Sequence, residues 1–254
     1  MIAKAGLAIL GEQMIAKAGL MFGDPLREAL ARAAELCRGV DPPNWPNDVS
    51  ASQMCELIAE TGWSLTYVPR AEVIRDLLDA EPADRDRVVL DHAKDITADC
   101  RACLGEVTQT EMSHLVDALG QALDALDADL MVPAQATAAS VVGDVIYRNL
   151  GLTFAAAVKE LDEDPGEMPM PYFRFWLVVS TIPRALSRFR CDDGDEIPDR
   201  FNRHAAAHTV DPRQYTKVNA VAALMLATGL VRQVADEIQA AENEGRDEVE
   251  VEVR

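Results

Sequence analysis

The chain has 254 residues, 49% of them hydrophobic but only 5% aromatic, enough apolar mass for one large domain or two small ones. Its net charge of −19 at pH 7 excludes binding of nucleic acid over the whole surface, because phosphates would be repelled, so any such site must be a local cluster of cations. Cysteines at 37, 55, 100, 103 and 191 are odd in number and follow no secretory leader, which argues against a disulfide framework and for a reducing, cytoplasmic compartment.

Ala and Leu supply most of the apolar content, and both are strong helix formers, so the expected fold class is all-α, a helical bundle. MIAKAGL occurs at residues 1–7 and again at 14–20. The offset turns the second copy by roughly 220° around a helix, so the copies do not extend one stripe. They read as a local duplication, or as a start misplaced from Met14. Residues 1–23 therefore stand apart as a poorly defined segment. Asp24-Pro25 then opens a helix that Gly39 closes. DPPNWPND, Asp41–Asp48, reads as a rigid linker. Ser50 caps a helix through Glu60. The alternation of Trp63, Leu65 and Tyr67 predicts a short extended or β segment over 62–68.

Pro69 begins a helix with Val73, Ile74, Leu77 and Leu78 on its apolar face, and one longer charged helix is expected from Asp84 to about Val107. The next starts at Thr108 or Thr110 and carries Leu115, Leu119, Leu123 and Leu126. Another runs from Pro133 to Asn149, and a further one covers Gly151 to Leu161. DEDPGEMPMP, Asp162–Pro171, is the strongest breaker and the expected boundary between a helical region at 24–165 and a C-terminal region at 166–240. Tyr172–Arg190 is aromatic and basic. The acidic loop Cys191–Asp199 follows it. A short helix is expected from Arg200 to about Ala207, then a turn at Thr209–Arg213. A long helix beginning near Gln214 is apolar nearly all round, which places it inside a bundle or at a dimer interface. The acidic tail, 241–254, is expected to be solvated, and no uninterrupted apolar run long enough for a membrane helix is read from the chain.

The short helix carries Phe201-Asn202-Arg203-His204-Ala205-Ala206-Ala207-His208, an Arg-x4-His arrangement with a polar residue directly after the Arg. This segment resembles the signature of HEPN-type ribonucleases, with Thr209 where the commonest form has Gly. The resemblance implies a HEPN-like C-terminal helical part and RNA cleavage without metal or other cofactor. It also implies a cleft made by a homodimer, in a toxin–antitoxin or antiviral defence setting. It assigns Arg203 to phosphate stabilisation and His208 to acid–base work, with Asn202 and His204 as accessory groups. The residue types suit the chemistry. Cleavage through a 2′-hydroxyl needs a group that titrates near neutrality and a fixed cation for charge developing on the phosphoryl oxygens. Arg184, Arg188 and Arg190 supply the expected RNA-binding patch. The expected partners are RNA, a second copy of the chain, and a protein partner or antitoxin, with no membrane. More loosely, WSLTYVPRAEVIRDLL together with FNRHAAAH is similar to helical proteins of GC-rich bacteria.

Other features have plainer readings. Arg87 and His92 repeat the spacing, but Val88 follows the Arg. His204 and His208 share a helical face as two metal ligands would, but the Glu of HExxH is missing and Asp199 or Asp211 would have to complete the set, so no metal is expected. Cys100 and Cys103 form a lone CxxC inside a helix and read as buried free thiols. The competing function is a non-catalytic helical interaction protein, dimerising or binding a partner through its terminal helix, with Arg203, His204 and His208 as helix-end groups paired to Asp199 or Asp211.

Overall fold

A computed structural model describes residues 41–162 and 173–252. The MIAKAGL copies, the helix expected from Asp24, Cys37 and nearly all of the Asp162–Pro171 breaker lie outside them. The described residues are all-α. The helices are α1 (Ala51–Thr61), α2 (Ala71–Asp79), α3 (Arg85–Asp91), α4 (Ala93–Gly105), α5 (Ser113–Asp127) and α6 (Met131–Asp144). A π-helical turn, Val145–Asn149, extends α6, and α7 (Phe154–Asp162), α8 (Phe173–Val179), α9 (Ile182–Ala185), α10 (Arg203–His208) and α11 (Lys217–Glu252) follow. No strand is present among the described residues.

Helix α11 is the axis. Val221, Leu224, Met225, Leu230 and Val231 point to different sides of it, and all are buried within this one chain. Its stretch Lys217–Asn243 is long and apolar enough to cross a membrane, but 94% of the apolar window is enclosed by the fold. Burial inside the bundle thus accounts for the all-round apolar character, leaving residues 218–235 without an apolar face for a dimer. Helices α4, α5, α6 and α8 pack against it. Residues on both sides of 163–172 share this one core, so the breaker does not separate two cores.

Three local expectations change. The helix expected over 84–107 is broken at His92, whose φ of −96° and ψ of 9° end α3 and start α4. Its ring sits between Asp76 at 2.8 Å and Asp95 at 3.4 Å, which ties up the second Arg-x4-His pair's histidine. Residues 241–252, set apart as an acidic tail in the sequence, continue α11 as helix to Glu252. The Asp41–Asp48 linker is docked, because Trp45 is drawn into the core.

That docking solves a backbone problem. Residues 63–69 form neither helix nor strand, with Tyr67 at a φ of +70° and bends at 66, 67 and 69, and they run through the core without a sheet to satisfy their peptide groups. Asn44 supplies the missing partners. Its side chain accepts from Tyr67 N–H at 2.8 Å and donates to the carbonyls of Leu65 at 3.1 Å and Pro69 at 2.8 Å. Trp45 Nε1 donates to the Leu65 carbonyl as well, at 3.0 Å. Gly229 of α11 lets the segment approach: a Cβ there would lie 3.2 Å from both Ser64 Oγ and the Thr66 carbonyl. Asn44→Ala strands two peptide groups, the Tyr67 N–H and the Pro69 carbonyl, while Trp45 still serves the Leu65 carbonyl, and is expected to cost about 2–4 kcal/mol. Urea unfolding measures this, and a loss below about 1 kcal/mol would contradict the clamp.

Candidate functional site

Helix α10 begins where a buried amide network ends the preceding loop. Gln214 accepts from Asn202 N–H at 2.9 Å and from Gln135 Nε2 at 3.1 Å, and donates to the Pro198 carbonyl at 2.9 Å. Asn219 Nδ2 donates to the carbonyls of Asp199 and Gln214. Asn202 is the N-cap: its Oδ1 accepts from Ala205 N–H at 2.8 Å, and its Nδ2 donates to Ser187 Oγ and the Ser187 carbonyl. Asn202 is 1% exposed with its amide fully engaged, so it positions α10 and does not present a group to solvent. Tyr215 closes the other side by donating its hydroxyl to the Ala206 carbonyl.

Arg203 is the first residue of α10 and is partly buried. Its guanidinium lies over the Phe154 ring, 4.3 Å from the centroid. No carboxylate among the described residues pairs with it. The Asp199 and Asp211 partners allowed by the plainer reading are not used: Asp211 is held by Arg213 at 2.8 Å. Burial lowers the Arg203 pKa from its usual value. His204 meets the same Phe154 edge-on at 5.8 Å, and Tyr147 tilts onto that ring at 4.8 Å. Burial, then the charges of Arg203 and His208, push the His204 pKa below its ordinary 6.5. His208 ends α10 and is exposed. On a helix, positions four apart lie nearly in line, so His204 and His208 form one stripe beside Arg203.

Phe154 reaches this place because the chain reverses after the π turn. Leu150 N–H bonds back to the Val145 carbonyl and Leu152 N–H to the Ile146 carbonyl. Gly151, with φ of +66°, makes the bend, and Thr153 Oγ1 accepts from Ala156 N–H as α7 starts. Gly143 leaves room beneath: a Cβ there would lie 3.3 Å from Phe154 Cζ and 3.6 Å from Arg203 Nη2.

The expected basic patch is otherwise committed. Arg184 donates to the carbonyls of Ala59 and Glu60, closing the C-terminus of α1. Arg188 pairs with Asp193 at 2.7 Å and Arg190 with the same carboxylate at 3.6 Å. The acidic loop that follows in sequence folds back on these arginines, and its Asp193 is shared between them. Cys100 and Cys103 are buried thiols whose pKa values burial pushes up to about 12. Phe154, Tyr147, Gly143 and Gln214 were not legible as site residues. Only Gly143 gave a sequence signal, a glycine inside a helix.

Because the fold favours neutral His204, its stability contribution is present above the ordinary imidazole value and is lost as pH falls through about 6.5 toward the lowered pKa. An NMR titration is expected to give a His204 midpoint below 6.5, and Arg203→Gln is expected to raise it. A midpoint that stays put in the variant would contradict the coupling. Asn202→Ala is expected to cost about 1–2 kcal/mol in thermal unfolding through loss of the cap.

No protein-family model, no curated protein and no solved structure matches this chain.

Proposed function

We propose that the Arg203–His204–His208 cluster binds and cleaves RNA without a metal ion. The supporting observation is that Arg203 is partly buried, seated on an aromatic ring and free of any described carboxylate, in a chain of net charge −19. Most other described arginines are neutralised in ion pairs, whereas this one is held ready for an anion. A guanidinium in such a place suits a phosphodiester, whose oxygens accept its planar fork.

Two imidazoles on one stripe can divide the proton work. His204, kept neutral by burial and its cationic neighbours, removes the proton from the 2′-hydroxyl. The 2′-oxygen attacks phosphorus, the bond to the 5′-oxygen breaks, and His208 in its protonated form delivers a proton to that leaving oxygen. The products are a 2′,3′-cyclic phosphate and a 5′-hydroxyl end. Arg203 stabilises charge on the non-bridging oxygens. This reading assigns His204 a larger part than the sequence motif does. The resemblance to HEPN-type ribonucleases adds the dimeric cleft and the defence or toxin setting.

An RNA degradation assay in excess EDTA tests the proposal. Cleavage is expected in the wild type, with cyclic phosphate ends. Arg203→Ala, His204→Ala and His208→Ala are each expected to lose about a hundredfold or more. No cleavage by the wild type, or variants as active as the wild type, would overturn it.

A further inference from the structure

The π-helical turn exposes an aromatic ring beside this cluster. The bond from Leu150 N–H to the Val145 carbonyl spans five residues and adds one residue to the turn. Val145 and Ile146 remain buried, while Tyr147 is turned outward and is 52% exposed. It is not a loose side chain. Its ring is backed by Phe154 at a centroid distance of 4.8 Å and an interplanar angle of 56°. The same Phe154 carries the Arg203 guanidinium at 4.3 Å. A half-exposed aromatic side chain and a cation with no carboxylate partner among the described residues are thus fixed on one ring, within the span of a single nucleotide.

We propose that Tyr147 is the stacking platform for the nucleobase next to the phosphate that Arg203 binds, so that the site takes an unpaired nucleotide. The inference rests on the RNA reading above. A ring face can stack on any base but only on one not already covered by neighbours in a duplex, and such stacking adds affinity without reading sequence. It also supplies binding strength that the acidic surface denies, because Arg184, Arg188 and Arg190 are occupied elsewhere.

The probe is a 2′-O-methyl oligoribonucleotide carrying 2-aminopurine, which cannot be cleaved and whose fluorescence falls on stacking. Anisotropy and quenching are measured with the full chain. Binding and quenching are expected for the wild type and Tyr147→Phe. Tyr147→Ala is expected to bind about tenfold or more weakly and to lose the quenching. Annealing the probe to its complement is expected to weaken binding to the wild type. Because Tyr147 is half-exposed, Tyr147→Ala is expected to keep the wild-type circular dichroism spectrum. Wild-type binding and quenching in Tyr147→Ala, with binding lost in Arg203→Ala, would overturn the stacking role and leave the phosphate reading standing. No binding by the wild type would overturn both.

Discussion

Helix α11 is apolar around most of its circumference, and a helix of that kind must be surrounded. Much of the fold answers this constraint. Helices α4, α5, α6 and α8 pack against it and help bury residues 218–235. Residues 63–69 also lie against it in an irregular path, with room made for them at Gly229. That path brings unpaired peptide groups into the core, which is why the Asn44 side chain and the Trp45 indole are turned inward to meet them.

The candidate site is a second consequence of the same arrangement. Helix α6 packs on α11 along one side and on α10 along another. At its far end the π turn and the bend at Gly151 return the chain as α7, laying Phe154 over Gly143. Arg203 then has an aromatic ring where most of the protein's arginines have a carboxylate. The buried amides of Gln135, Asn202, Gln214 and Asn219 hold the start of α10 so that this contact is made by a fixed side chain. Exposed ion pairs contribute little to stability in water, so the pairing of Arg188 and Arg190 with Asp193 acts chiefly to remove free positive charge from that surface.

The helical class, the interruption of helix over 62–68, the buried CxxC and the enclosure of the terminal helix were legible because each follows from composition or period. The break at His92 was not, since both flanking helices share one charged pattern and the break depends on Asp76, a residue sixteen positions away. The docking of Asp41–Asp48 was hidden because prolines and polar residues read as linker, whereas Asn44 is needed by a segment more than twenty residues later. The Arg203–His204–His208 segment stood out by its residue types. Its aromatic seat did not, because Tyr147 and Phe154 lie in a different stretch and meet it only through the turn at Gly151. The pairing within the basic patch was hidden for a related reason: the acidic loop adjacent in sequence is also adjacent in space.

On the proposed reading, Arg203 is kept free of any described carboxylate so that it can hold a phosphodiester. The most direct measurement is a crystal structure of the protein with an uncleavable 2′-O-methyl oligoribonucleotide. The account predicts a backbone phosphate within hydrogen-bond distance of the Arg203 guanidinium, with both α10 imidazoles facing it. RNA bound elsewhere on the chain, or a carboxylate from a second copy seated on Arg203, would contradict it.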